Sequence, residues 1–163
     1  MIILGIDPGS VLTGYAILKK DNKKCLEVLD FGCINADKFS ATGERLQKIH
    51  KDIIKLIERY KPNLLAIETL FFFKNLKTVM PVSQTRGVIL LAAAEKKIPI
   101  LEFTPLQMKM TIVGYGRAEK KQVQEMIRNC VDLSKFDLKK NHRKKDDSFD
   151  AIGVAICAAF KNY

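Results

Sequence analysis

The chain is 163 residues long, 47% hydrophobic, and carries 28 Lys and Arg against 18 Asp and Glu, a formal net charge of +10. That size and composition predict a single globular domain, 1–163, and argue against a disordered or membrane-spanning chain. The surplus of positive charge biases the choice of partner toward nucleic acid, because no amphipathic basic helix or lipidation motif favours an acidic membrane.

Met1 to Asp7 is apolar up to its final acid and runs straight into Asp7-Pro8-Gly9-Ser10, which is turn chemistry. It reads as a first strand and not as a targeting segment. Second and third strands are predicted at about Thr13 to Lys20 and about Cys25 to Ala36, joined through Asp21-Asn22. Apolar residues in the third strand fall on both faces, as expected for a partly covered strand. Leu46, Ile49, Ile53, Leu56 and Tyr60 keep a 3.6-residue rhythm, with Ser40 or Thr42 as candidate caps and Pro62 as the stop. A strand from Leu64 to Glu68 precedes an aromatic and basic loop, Phe71-Phe72-Phe73-Lys74-Asn75.

The next helix is predicted at about Val82 to Lys97 and is apolar all round from Val88 to Ala94. Such a helix needs cover on more than one side: the sheet supplies one, and a second subunit or the protein interior supplies the other. Pro99 to Phe103 reads as a fifth strand. Helices at about Pro105 to Ile112 and Lys120 to Val131 flank Gly114-Tyr115-Gly116. The basic run Lys139 to Lys145 leads into a last helix, about Asp147 to Phe160. Three strands followed by alternating helix and strand predict a layered α/β domain with a mixed five-stranded sheet flanked by helices. Cys25, Cys33, Cys130 and Cys157 form no C-x-x-C pair and no spaced Cys/His set. They are expected to be reduced, half-buried side chains of a cytoplasmic protein, not zinc ligands. His50 and His142 are isolated and read as solvated or hydrogen-bonded side chains.

Four carboxylates, Asp7, Glu68, Asp147 and Asp150, carry the chemistry. Asp7 and Glu68 each end a short strand apolar enough to be buried on both faces, which places an acid where core meets solvent. Acids brought close together there repel, and a bound cation is the usual resolution. Asp147 and Asp150, three apart, share one face at the start of the last helix. A plainer reading of that pair stands beside this one: acids in a first helical turn favour the macrodipole, and Asp146 or Ser148 could serve as a cap. Asp146 is also a rival ligand, since Asp146 and Asp150 share a face too. Oxygen donors without histidine or thiolate suit Mg²⁺. Two such ions about 3.5–4 Å apart can activate water and stabilise the leaving oxygen at a phosphodiester.

Ile6-Asp7-Pro8-Gly9-Ser10 with Thr13-Gly14-Tyr15 closely resembles the opening of the RuvC Holliday-junction resolvases. So do Ile67-Glu68 with Phe71 and Lys74-Asn75, Gln84-Thr85-Arg86-Gly87, Thr111 to Gly116 with Ala118-Glu119-Lys120, and the closing Asp147-x-x-Asp150-Ala151. The resemblance runs in order through nearly the whole chain. It departs at Ser148-Phe149, where the family has two small residues, and at Gly153, which costs about 1 kcal/mol in a helix unless it permits close packing.

The resemblance implies an RNase H-like fold. It implies that Asp7, Glu68, Asp147 and Asp150 hold two Mg²⁺ ions, with Mn²⁺ able to substitute. It implies a homodimer that cuts four-way DNA junctions by paired nicks on strands of like polarity, leaving 5′-phosphate and 3′-hydroxyl ends, in recombination and repair. A branch-migration complex of the RuvA and RuvB type is the expected companion. Lys109 and Lys120 match basic positions near the scissile phosphate, with Lys120 catalytic. Phe71 matches an aromatic that stacks near the crossover. Lys74, Arg86 and Arg117 are further candidate DNA contacts, and Lys121 and the Lys139 to Lys145 run extend the basic surface. Rival readings are a related nuclease acting on RNA, an actin-like phosphotransferase, which would need a second lobe, and a non-catalytic junction-binding protein.

Overall fold

The first strand, β1 (Ile2–Asp7), is buried along its length and sits at the centre of a five-stranded sheet. The computed structural model describes residues 1–21, 25–69, 76–137 and 146–161. β1 pairs antiparallel with β2 (Leu12–Lys20), which pairs antiparallel with β3 (Leu26–Asn35). On its other side β1 runs parallel to β4 (Leu64–Glu68), and β4 parallel to β5 (Ile100–Phe103), giving the order β3-β2-β1-β4-β5. The sheet is mixed, as predicted. The chain leaves β1 toward β2 and leaves β4 toward β5, so the topology switches between β1 and β4. Crevices at the carboxyl ends of strands form at such switch points.

Alternation along the strands assigns the two faces. Leu4, Ile6, Ile17, Leu65 and Ile67 pack with Ile49, Ile53 and Ile57 of α1 (Thr42–Tyr60) and with Ile89, Ala92 and Ala93 of α2 (Leu76–Glu95). Ile3, Leu18, Leu64 and Ala66 belong to the opposite core with α3 (Pro105–Val113), α4 (Lys120–Cys130) and α5 (Asp146–Phe160). Every residue of α5 from Ala151 to Ala159 is buried. Asp7 keeps the phase of Ile3, and Glu68 that of Leu64 and Ala66, so period two directs both acids toward the face that α5 covers.

Several local expectations are corrected. Neither Ser40 nor Thr42 caps α1: the cap is Ala41, whose N–H donates to Glu44 (3.1 Å), while Thr42 Oγ1 accepts from Arg45 and Ser40 Oγ bonds Asp37. The helix ends before Pro62 as predicted, on a left-handed Lys61 (φ 47°) whose N–H returns to Ile57. Helix α2 begins six residues before Val82 and carries Pro81 inside it. A proline removes only its own N–H and crowds the carbonyl four residues back, so a helix can continue past one near its start. The mixed faces of β3 come from a bulge: Ile17 pairs with Asp30 but Leu18 with Val28, which leaves Leu29 extra and reverses the alternation.

The helix buried on all sides is α5, not α2. On α2, Met80 (68% exposed), Gln84, Gly87, Leu91 (54%) and Ala94 recur at three- and four-residue spacing and face outward. Gly153 does permit close packing, since a Cβ there would press on Met108, Ile112 and Ile127 from α3 and α4. The four cysteines form no disulfide, and His50 bonds Glu95 (3.1 Å). Phe71, Phe72, Phe73, Lys74, His142 and the Lys139 to Lys145 run lie outside the described residues.

Candidate active site

Asp7 and Glu68 stand side by side because β1 and β4 are parallel and in register, each acid one residue beyond the last matched pair, Ile6 and Ile67. Helix α5 brings Asp147 and Asp150 to them over two glycines. Gly14 pairs with Asp7 across β1 and β2, and a Cβ on Gly14 would overlap the Asp147 carbonyl. A Cβ on Gly5 would overlap the carbonyl of Ala151 and crowd Ala155. Removing both side chains lets the helix backbone lie directly on the sheet. The turn between β1 and β2 is fixed by Thr13, fully buried, whose hydroxyl donates to Gly9 O (2.8 Å). Gly9 itself has no room for a Cβ against the Leu12 carbonyl.

The electrostatics follow from this convergence. Burial, then the charges of Glu68, Asp150 and Asp147, push the Asp7 carboxyl up to about 9, with Lys120 opposing. Glu68 rises to about 7, chiefly from burial and then from Asp150, while Lys120 and a hydrogen bond with Asp7 pull the other way. Asp150 is raised by burial and by Asp147 and Asp146, against the pull of Lys120. Carboxyls displaced upward at neutral pH are groups that ionise fully only when positive charge joins them.

One such charge belongs to the chain. Lys120, the first residue of α4, places its ammonium 2.9 Å from Asp150 Oδ2 and 3.5 Å from Asp146 Oδ2. Burial acts to lower the Lys120 pKa, but the bonds and charges of Asp150 and Asp146 outweigh it and hold the amine above its ordinary value. Asp146 behaves unlike the other acids. Its carboxylate accepts from Gln124 Nε2 (2.9 Å), is 63% exposed, and is held below the usual carboxylate range by that bond. Three acids are pushed up and this one is pulled down.

Among the described residues no three His, Cys, Asp or Glu side chains form a closed ligand set. The donors nonetheless fit a hard divalent cation: carboxylate oxygens only, partly buried, mutually repelling, at the open end of a sheet. Asp7, Glu68, Asp147 and Asp150 are the residues that would hold it.

The remaining expected contacts are spread. Arg86 of α2 is held by Glu102 of β5 (2.5 Å), the residue opposite Ile67, so it braces α2 against the strand beside Glu68. Lys109 lies half-exposed on α3, and Arg117 is exposed in the loop before α4. Gln124 escaped the sequence reading, and the buried Thr13, quoted there only within a strand and a motif, was given no role in the turn. The spacing of Lys120 and Gln124, four apart on one helix as Asp146 and Asp150 are on another, was the available signal for Gln124.

A mixed sheet with an acid cluster at its switch point, backed by a buried helix that carries two of the acids, defines an RNase H-like nuclease scaffold. The family model described as "Crossover junction endodeoxyribonuclease RuvC" matches residues 3–158. A relative of that description from Alkaliphilus metalliredigens is 47% identical over 163 residues, covering 100% of this chain and 95% of its own. Another, from Halothermothrix orenii, is 43% identical over 157 residues, covering 96% and 91%. Among solved structures, T. thermophilus RuvC in complex with Holliday junction substrate superposes with a TM-score of 0.87 at 26% identity, covering 98% of this chain and 93% of that one. The chain belongs to the RuvC family of crossover junction endodeoxyribonucleases.

Proposed function

We propose that this chain resolves four-way DNA junctions as a homodimer, by divalent-metal-dependent hydrolysis that places paired symmetric nicks on strands of like polarity. The products are 5′-phosphate and 3′-hydroxyl ends that a ligase can seal, in recombination and repair. The observation that carries the reading is the convergence of Asp7, Glu68, Asp147 and Asp150 on one strand-end crevice, with three of the four displaced upward in pKa. Bound Mg²⁺, two ions per site with Mn²⁺ as a substitute, would supply positive charge against the scissile phosphate and acidify water at neutral pH. The chain's part is to hold its carboxylates ionised and fixed, and to present the Lys120 ammonium where negative charge develops on the phosphate. No side chain serves as a covalent nucleophile.

Lys109, Arg117, Arg86, Phe71 and Lys74 are assigned to the junction: the basic groups to phosphates, Phe71 to stacking near the crossover. The outward stripe of α2 (Met80, Gln84, Gly87, Leu91, Ala94) supports the dimer, since two-fold pairing would cover it and give two equivalent sites for two strands. A branch-migration complex is the proposed companion and the cytoplasm the proposed location. Among the described residues no helix is long and apolar enough to cross a membrane.

The test is cleavage of a synthetic four-way DNA junction against linear duplex DNA and structured RNA, with Mg²⁺ or with a chelator. Expected are Mg²⁺-dependent, symmetric, religatable nicks in the junction alone, abolished in Asp7→Asn with junction binding retained. Preferential cutting of RNA would favour the RNA-directed reading, and binding without any cutting the non-catalytic one.

A further inference from the structure

Lys120 and Gln124 are four apart on α4, and Asp146 and Asp150 are four apart on α5. The two pairs face each other as a rectangle. Lys120 bonds Asp150 at 2.9 Å along one side, Gln124 bonds Asp146 at 2.9 Å along the other, and Lys120 reaches Asp146 at 3.5 Å across the diagonal. Only one of these carboxylates belongs to the acid cluster. Asp150 is half-buried, its side chain 17% exposed, and interacts with Asp7 and Glu68; Asp146 lies outside, 63% exposed.

We propose that Asp146, oriented by Gln124, is a parking position for the Lys120 ammonium, and that Lys120 competes with the divalent cation for Asp150. This rests on the reading of Asp150 as a metal ligand. The competition follows from the donors. A carboxylate oxygen that accepts from an ammonium has that lone pair engaged, and a divalent cation arriving at Asp150 must displace the amine and then repels it. Asp146 gives the displaced amine a second carboxylate within reach, so the side chain turns through a short arc and stays at the crevice. Lys120 then remains available to a substrate phosphate. Gln124 is needed because a carboxylate at the exposed start of a helix has freedom to turn away, and its amide bond removes that freedom. Asp146 and Gln124 are thus positioning residues that act through Lys120 and need touch neither metal nor DNA.

The experiment measures Mn²⁺ affinity without DNA, by calorimetry and by the electron paramagnetic resonance of free Mn²⁺, so it does not depend on turnover. A partly exposed pair is worth up to about 1 kcal/mol, which converts to about fivefold in affinity. Lys120→Met, with Lys120→Gln as a second variant, should bind Mn²⁺ about fivefold more tightly than wild type, although cleavage falls. Asp146→Asn should weaken Mn²⁺ binding in the wild-type background, because the amine is left with Asp150 alone. In the Lys120→Met background the same change should have little effect. Gln124→Ala should follow Asp146→Asn in direction, by less.

Unchanged or weaker Mn²⁺ binding in both Lys120 variants would overturn the proposal. So would an Asp146→Asn effect equal in the two backgrounds, which would reduce Asp146 to a general field charge. Asp150→Asn separates the two layers of the reading. If it binds Mn²⁺ as well as wild type, the ligand assignment itself falls. If it binds poorly while the Lys120 variants match wild type, only the parking position falls.

Discussion

Asp7 and Glu68 hold their carboxyls well above the ordinary values, and their titration gives a measurable signature. Both carboxyls bind protons more tightly folded than unfolded, so the folded state holds more protons over the intervening range and stability falls as pH rises through it. The stabilising contribution is fully present below the ordinary carboxylate values of 3.8 and 4.5 and is lost by about 9 for Asp7 and about 7 for Glu68. In chelator, the melting temperature should therefore decline between pH 5 and 9. The decline should be shallower in Asp7→Asn, which should be at least as stable as wild type at pH 8. Thermal melts across that range decide it, and a slope identical in the variant would show that Asp7 is not the group responsible.

Gly14 tests position without charge. Gly14→Ala should force α5 away from β2, cost about 1–3 kcal/mol by overpacking, and cut cleavage about a hundredfold by displacing Asp147. A variant that melts lower but retains full activity would mean that the close approach matters for stability alone. Glu68 was legible in the sequence because a carboxylate after Leu-Leu-Ala-Ile has no packing reason to be there, whereas Asp7, Asp147 and Asp150, which turn and cap chemistry also explain, stood out only through the motifs around them. The separation of Asp146 from the other acids was not legible. It depends on Gln124 and Lys120, which lie more than twenty residues away and meet Asp146 only after α4 and α5 have packed.

At the scale of elements, what was legible is what local periodicity encodes. The strands ending at Asp7 and Glu68, the rhythm of α1 and the Pro62 stop are written within a few residues of themselves. The β3 bulge is not, because dropping Leu29 from the pairing answers to the partner strand β2. The start of α2 lies six residues before the predicted Val82, with Pro81 inside the helix and no periodic apolar signal to mark that first stretch. The same helix carries the association prediction. Gly87 sits mid-helix with none of the described residues near its absent Cβ, so the roughly 1 kcal/mol it costs relative to alanine has no compensation among them. Contact with a second α2 would supply one. Leu91→Glu should convert a dimer to a monomer in sedimentation or light scattering, with little loss of melting temperature because Leu91 packs on no core. A variant that stays dimeric would move the interface elsewhere.

Over the whole molecule, the net charge of +10 coexists with a crevice of acids, and the two act at different ranges. Long-range attraction draws in a polyanion, and screening governs it. Junction affinity in Ca²⁺, which supports binding more readily than hydrolysis, should fall with salt by about 0.9 log units per log unit of salt for each phosphate neutralised. Replacing Lys109 and Arg117 together by alanine should lower that slope by about two. An unchanged slope would remove both residues from the contact surface. Charge composition carries the sign of the attraction but not its geometry: it does not reveal that Arg86 is paired with Glu102 and would meet a phosphate from that pair. Helix α5, meanwhile, is at once the spine of the core and the carrier of Asp147 and Asp150. Amide hydrogens along Ala151 to Ala159 should exchange with solvent only through opening of the entire domain. Jaws mounted on so stiff a beam have little give, so fitting cutter to crossover falls to the nucleic acid, and branch points that bend easily should be cut fastest.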